Sequence, residues 1–407
     1  MIAFDRGITR LAAGCARRAT LAVLTLTVVL SAALGTSWPV VAQSSAEFST
    51  RARNVILMDA TTGAVLYQLR ADERVSPASM SKLMTVTLVF KALKSGQLKA
   101  SDEFVMSLNG WKNGGAPSGT SAMMVPLNQK ARLDELLQGM VVQSGNDAAI
   151  AVAEGIAGSE AAFAKLMTEE GLRIGLKNST FRNPTGLHDP EHLMTARDLA
   201  LLARHIIREY PDYYPLFAQR EFQYRKHKFI NRNPLMGSPG VEGMKTGYIK
   251  QAGYGLVATA SQDGRRLIAV AVGYDKAEER KTDTLKLLEW GFKGFTEHKV
   301  FEAGETIGQA RVWGGSRMFL PLVGKGDVAI LLPRFPANQK LKAEIVYTGP
   351  LKAPISKGDV VAHLRVSSTS GAVNEVPLVA GEDVTRSGVV RRGFDSLVHM
   401  ALQLVPL

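Results

Sequence analysis

The order in which hydrophobic periodicities follow one another between residues 54 and 295 limits this chain more than any other feature. Val55-Ile56-Leu57-Met58 and Ala64-Val65-Leu66-Tyr67 flank a turn at Asp59 to Gly63 and read as a β-hairpin. Helical spacing takes over from Ser79, with Leu83, Val86, Phe90 and Leu93 on one face. Two further helical segments follow, Leu133, Leu136, Leu137, Met140 and then Ala149, Ile150, Val152, Ala153, separated by a short loop at Ser144-Gly145-Asn146. Gly255 to Ala260 and Leu267 to Val272 are strand-like runs joined at Gln262-Asp263-Gly264, and Leu285, Leu288, Phe292 and Phe295 return to helical spacing. A unit that opens with a hairpin, holds helices in its middle and closes with a hairpin and a helix predicts an α+β fold, an antiparallel sheet with helices, over a doubly wound parallel sheet.

Past His298 the texture changes to short apolar runs broken by Gly and Pro, such as Ala329 to Pro333 and Ala343 to Tyr347, which predicts a smaller all-β domain over residues 299–385. Residues 386–407 read as an amphipathic helix, with Phe394, Leu397, Val398, Ala401, Leu402 and Val405 on one face. At the other end, Arg6, Arg10, Arg17 and Arg18 precede an apolar run from Leu21 to Leu34 and the small residues of Val40-Val41-Ala42. That is the pattern of an export signal over residues 1–42, and the run is shorter than the roughly 20 residues a spanning anchor needs. The first folded domain then covers residues 43–298. The only cysteine, Cys15, lies within the signal, so the exported part has no thiol for a disulfide, a nucleophile or a metal. Loss of four arginines and Asp5 with the signal takes the formal charge from +12 to +9. A basic exported protein suits an anionic wall polymer or lipid headgroups, whereas nucleic acid is a poor partner without interleaved basic and aromatic runs.

Three short patterns could carry chemistry. Ser79-Met80-Ser81-Lys82 is the one Ser-x-x-Lys of the chain, and residues three apart share a helix face, so the Lys82 amine can reach the Ser79 hydroxyl. Lys82 lies along the apolar edge, where desolvation favours the neutral amine that can act as a base. Ser144-Gly145-Asn146 puts a hydroxyl and an amide in a tight loop between buried helices. Ser107-Leu108-Asn109 fits the same Ser-x-Asn pattern but lacks that setting. For Asn146, capping of the helix that starts at Asp147 is an equally open role. Lys245-Thr246-Gly247 occurs once, just before the second hairpin; on a strand Lys245 and Gly247 share a face, the cation and the hydroxyl suit a carboxylate, and the bare Gly247 lets a ligand backbone come close.

The three patterns in this order resemble the penicillin-recognising serine enzymes. With Pro77 to Thr85, Gln143 to Ala148, Asn183-Pro184-Thr185-Gly186-Leu187 and Ala252-Gly253-Tyr254, they resemble the D-alanyl-D-alanine carboxypeptidases over nearly the whole exported chain. The resemblance implies that Ser79 is the nucleophile, Lys82 its proton acceptor and Ser144 the relay to the leaving amine. It further implies that Asn146 holds the substrate amide, that Lys245 adds positive potential and that Thr246 binds the terminal carboxylate. The backbone N–H groups of Ser79 and Tyr248 would form the oxyanion hole. Arg280 falls where that family often has an arginine. Many relatives have histidine after Lys-Thr-Gly, and this chain has Tyr248 instead. No cofactor is implied. The implied partners are peptidoglycan stem peptides, β-lactams as covalent inhibitors, and the membrane surface, reached by the C-terminal helix at the periplasmic face of the cytoplasmic membrane.

Three rivals are weaker. His188-Asp189-Pro190-Glu191-His192 suggests a metal-dependent peptidase, but two histidines four apart converge only on a continuous helix and Pro190 interrupts it. A class A β-lactamase needs a deacylating Glu-x-x-x-Asn, and Glu191 has Thr195 four residues on. A scaffold without activity has no need of three intact motifs.

Overall fold

The computed structural model describes residues 48–334, 341–368, 372–389, 392, 393 and 396; the expected export signal and most of the expected C-terminal helix lie outside the described residues. The chain divides into a unit spanning residues 48–294 and a second that starts at Phe295.

The first unit is built on an antiparallel sheet that joins its two ends. Strands β1 (Asn54–Asp59) and β2 (Val65–Leu69) form the opening hairpin, and β7 (Val241–Ile249), β8 (Gly253–Gln262) and β9 (Arg265–Tyr274) follow only after a long excursion of the chain, in the order β2-β1-β9-β8-β7. Near-continuous burial from Leu267 to Tyr274 shows β9 covered on both faces, as its unbroken apolar run requires. Helix α5 (Ala196–Glu209) packs across β9 and β1, and α6 (Ala277–Gly294) across β9 and β8. Between the halves of the sheet lie α1 (Lys82–Lys94), α2 (Leu133–Gln138), α3 (Asn146–Ala157) and α4 (Glu160–Arg173), with two ribbons, β3/β4 (Glu103–Val105, Lys130–Arg132) and β5/β6 (Glu221–Tyr224, His227–Ile230). The α+β architecture expected from the periodicities is the one observed.

Three local expectations are corrected. The α-helix begins at Lys82; Ser79 sits in a 3₁₀ turn over Ala78–Ser81. That helix is also not a surface helix with one stripe, because nearly every side chain from Lys82 to Phe90 is buried while Leu93 is only half-buried. A helix apolar nearly all round belongs at the centre of a domain, and α1 is ringed by α3, α4 and α5. In α6 the buried face is Asp283, Thr284, Leu287, Leu288 and Gly291, while Leu285 and Phe292 are half-buried and Phe295 already starts β10 (Phe295–Phe301). Two polar residues turn the helix: the Asp283 carboxylate accepts the Arg51 N–H at 3.0 Å, and the Thr284 hydroxyl lies 3.3 Å from the Tyr274 hydroxyl.

The second unit is all β. Besides β10, its strands are β11 (Thr306–Trp313), β12 (Phe319–Gly324), β13 (Val328–Pro333), β14 (Leu341–Val346), β15 (Leu351–Lys352), β16 (Val360–Ser368) and β17 (Val373–Ala380). β10 pairs with β13, and β11-β12-β17-β16-β14 run antiparallel around a core of Ala310, Leu322, Val328, Ile330, Ala362, Leu364, Val366 and Leu378. Of the C-terminal segment, Ser396 accepts the Trp313 indole N–H at 3.3 Å and donates to the Arg392 carbonyl at 2.9 Å. Among the described residues no helix is long and apolar enough to cross a membrane.

Candidate active site

Four chain segments, residues 77–82, 144–146, 183–187 and 245–247, meet at the N-terminus of α1. The turn that carries Ser79 begins at Ala78 with a positive φ of 47°, and it is wedged from two sides. Gly186 has φ 77°, and a Cβ there would stand 2.0 Å from the Ala78 carbonyl oxygen. A Cβ on Gly247 would meet the Pro77 carbonyl oxygen at 2.8 Å and the Ala78 Cβ at 3.2 Å. The sequence suggests that Gly247 makes room for a ligand backbone; the backbone that comes close to its α-carbon is the protein's own. Both glycines let the 183–187 loop and β7 press the Ser79 turn into place.

Lys82 is fully buried. Its Nζ lies 3.0 Å from Ser79 Oγ, 2.6 Å from Asn146 Oδ1 and 2.6 Å from the Thr185 carbonyl oxygen. Burial, then the Lys245 cation, push its ammonium well below the ordinary lysine range, against the pull of Asp147 in the other direction. Lys245 is buried as well, and its ammonium donates to Ser144 Oγ at 2.9 Å. Burial, with Arg232 and Arg280 nearby, lowers Lys245 to about 7. Two buried amines, each aimed at a serine hydroxyl, are the chemical centre of the unit.

The Ser144 loop is shaped by backbone conformation. α2 runs into a wide turn at Gly139–Gln143, Ser144 takes the left-handed region at φ 66°, and α3 starts at Asn146. Asn146 does not cap that helix. Its Oδ1 accepts from Lys82 and its Nδ2 donates to Thr120 Oγ1 at 2.9 Å, so the side chain is turned into the site. The decoy Asn109 instead donates to Glu154 and Glu160, both at 2.8 Å.

Three contributors escape sequence reading. Thr185 acts through its carbonyl, which any residue could supply, so no side-chain pattern marks it. Asp147 looks like an ordinary first-turn acid, yet it is fully buried and accepts N–H groups from Met123 (2.9 Å), Val125 (3.2 Å) and Ala148 (2.9 Å). Arg232 has no motif around it; it reaches Ser121 Oγ at 2.9 Å and Gln143 Oε1 at 3.3 Å and bears electrostatically on both lysines.

Thr246 is buried between Lys245 and Gly247 on β7. Tyr248 stands opposite Tyr254 across the β7/β8 hairpin, more than half exposed, its ring stacked on the Tyr254 ring at 4.3 Å. The Arg280 guanidinium lies over the same Tyr254 ring at 5.4 Å. The His188 to His192 stretch does not converge: His188 is exposed, while His192 is buried against Phe181, accepts the Arg182 N–H and is held down at about 4 by burial. Glu191 is exposed and paired with Arg182 at 2.9 Å.

Comparison with known proteins agrees with this geometry. The profile of the D-alanyl-D-alanine carboxypeptidase family matches residues 40–276, and that of the penicillin-binding protein 5 C-terminal domain matches residues 295–386. The chain is similar to the D-alanyl-D-alanine carboxypeptidase DacC of Escherichia coli, with 37% identity over 352 residues covering 85% of this chain and 88% of the relative. It is similar to the carboxypeptidase DacA of Haemophilus influenzae at 35% identity over 351 residues, 85% and 88% of the two chains. Among solved structures, penicillin binding protein 5 from Haemophilus influenzae aligns with a TM-score of 0.68 at 35% identity, covering 83% of this chain and 98% of that one. Penicillin-Binding Protein D2 of Listeria monocytogenes, in its ampicillin-bound form, aligns with a TM-score of 0.53 at 29% identity over 60% of this chain and 98% of that one.

Proposed function

This chain belongs to the D-alanyl-D-alanine carboxypeptidase family of serine hydrolases, and from that premise we propose how its own residues divide the work. Ser79 Oγ attacks the carbonyl of the penultimate D-alanine of a peptidoglycan stem pentapeptide, and Lys82 takes the hydroxyl proton. Ser144 passes a proton to the leaving amine, and water then hydrolyses the ester on Ser79. Asn146 holds the substrate amide, while Lys245, Thr246 and Arg280 receive the terminal carboxylate. The N–H groups of Ser79 and Tyr248 stabilise the oxyanion. A β-lactam enters the same sequence, but its leaving nitrogen stays tethered, so the ester persists.

The observation that carries this reading is the set of partners around Lys82 Nζ. Asn146 Oδ1 and the Thr185 carbonyl can only accept. A neutral amine has two N–H bonds for these two and one lone pair left, and the remaining neighbour at 3.0 Å is the Ser79 hydroxyl. An ammonium would spend its three N–H bonds on these three oxygens, so it is burial, which favours the neutral amine, that leaves a lone pair facing the serine proton. The test is incubation with a peptide ending in D-alanyl-D-alanine and, in parallel, with penicillin, followed by product analysis and mass measurement of the digested enzyme. Free D-alanine and a penicillin adduct on the Ser79 peptide are expected; an adduct elsewhere, or none, refutes the assignment.

The pH dependence follows from the two lysines. Lys82 must be neutral, so acylation rises as pH climbs through a value well below 10.5. Lys245 must be charged to hold a carboxylate, so kcat/KM falls again as pH passes about 7. The expected profile is a bell on the neutral side of the lysine range. A rate that stays flat and then climbs only near pH 10 (the ordinary lysine range) rules out Lys82 as the base.

In this reading residues 43–298 form the catalytic part, 299–385 a β spacer, and 386–407 an in-plane helix that attaches the exported protein to the periplasmic face of the cytoplasmic membrane, aided by Arg386, Arg391 and Arg392. Deletion of residues 390–407 is expected to move the protein from the membrane pellet to the soluble fraction without loss of penicillin binding; unchanged sedimentation defeats the attachment role.

A further inference from the structure

Arg280 is placed against two rules of charge. It lies in the first turn of α6, where the N–H end of the helix disfavours a cation. Its Nε is buried without a hydrogen-bond partner, and none of the described ion pairs includes it. Glu279 and Asp283 both face Arg51, and Glu278 in the same turn is exposed and forms no described ion pair with Arg280. A half-buried guanidinium carries a desolvation cost that no described anion offsets. What does hold it is the face of Tyr254, with the guanidinium carbon 5.4 Å from the ring centroid.

Tyr254 is itself fixed. It is the direct cross-strand partner of Tyr248 at the closed end of the β7/β8 hairpin, two residues beyond Thr246, and the two rings stack at 4.3 Å with 30° between their planes. Such a pair stiffens the hairpin end and leaves its rings few other positions. Tyr248 is more than half exposed, so its ring is not there to fill a core. Arg280 meanwhile is near enough to Lys245 to help hold that amine below its ordinary range. The unpaired cation, the stacked pair and the Lys245-Thr246 segment thus lie at one end of one hairpin.

We propose that the Tyr248–Tyr254 pair is a positioning element that holds the Arg280 guanidinium, unpaired, to receive the free carboxylate of the substrate's leaving residue. This rests on the reading of Lys245 and Thr246 given above and adds to it the part that fixes the third polar group. The tyrosines touch no reacting atom through their rings; they act through Arg280. The consequence is selectivity for substrates whose leaving group carries a carboxylate.

The test uses two thioester substrates with the same D-alanyl acyl part, one releasing thioglycolate and the other ethanethiol, so that they differ in the carboxylate. Loss of one cation–π contact and the freedom it gives the guanidinium is expected to raise KM for the thioglycolate ester about tenfold in Tyr254→Leu, with kcat nearly unchanged. KM for the ethanethiol ester should stay as in the wild type. Tyr254→Phe, which keeps the ring, should retain the wild-type KM on both. Equal losses on the two esters would mean that Tyr254 merely supports the fold, and an unchanged KM for the thioglycolate ester would mean that Arg280 needs no such support; either overturns the proposal while leaving the Ser79 assignment intact. A wild-type enzyme that hydrolyses neither ester and takes no penicillin overturns both.

Discussion

Ser79→Ala is expected to abolish penicillin labelling and D-alanine release together, and Lys82→Arg to slow acylation by about 10³-fold, within the range that removal of a general base produces. The two substitutions separate nucleophile from base. In the alanine variant Lys82 keeps its bonds to Asn146 Oδ1 and the Thr185 carbonyl, so the site loses a hydroxyl and little else, and thermal unfolding should move by no more than a few degrees. Arginine brings a permanent positive charge and several donors but cannot give up its proton, so it can bond both acceptors and still leave Ser79 with no base. Stopped-flow acylation with a chromogenic cephalosporin reads both variants. Rapid acylation of Lys82→Arg would show that proton removal from Ser79 does not depend on residue 82. D-alanine release by Ser79→Ala would remove the acyl-enzyme from the account altogether.

Much of this site was legible because the chemistry is done by side chains of unusual type at fixed spacing. Ser79 and Asn146 lie within hydrogen-bonding distance of Lys82, and Ser144 within that distance of Lys245. The sheet was legible for a similar reason: β1, β2, β8 and β9 are apolar runs bounded by Asp-Gly or Gly turns, the pattern of two hairpins, and they pair in one antiparallel sheet. What was hidden acts through the backbone or through a change of surroundings. The Thr185 carbonyl has no side-chain signature. The start of α1 was misplaced by three residues because a 3₁₀ turn and an α-helix put residues i and i+3 on nearly the same face. The buried side of α6 was misread because Asp283 and Thr284 look like surface residues until their partners, the Arg51 N–H and the Tyr274 hydroxyl, are known. Gly247 was assigned to the ligand when its nearest constraint is Pro77.

Asp147→Ala is expected to cost about 3 kcal/mol or more of stability, since it leaves the buried N–H groups of Met123, Val125 and Ala148 without their acceptor, each a loss of about 1 kcal/mol at the least. For a domain of this size that is a fall of roughly 6–12 °C in Tm. Burial pushes the Asp147 carboxyl above its ordinary range even though amide N–H groups pull it the other way, so the ionised group is costly to bury for its own sake. Its return is positional. By fastening Met123 and Val125 it holds the strand of chain in which the Ser121 carbonyl accepts the Asn146 N–H at 2.7 Å and the Thr120 hydroxyl accepts from Asn146 Nδ2. Release of that segment frees Asn146, and with it one of the two acceptors that leave the Lys82 lone pair to Ser79. Acylation should therefore fall by more than tenfold even at temperatures where the variant is fully folded (a loss of about 1.4 kcal/mol). Asp147→Asn should lie between: one amide oxygen can still take the Met123 and Ala148 N–H groups, but its NH₂ then faces the Val125 N–H, donor against donor. Calorimetry and acylation rates on the two variants decide the matter. An alanine variant that melts with the wild type would show the clamp to be unnecessary, and one that melts early yet acylates at the wild-type rate would show that Asn146 holds Lys82 without it.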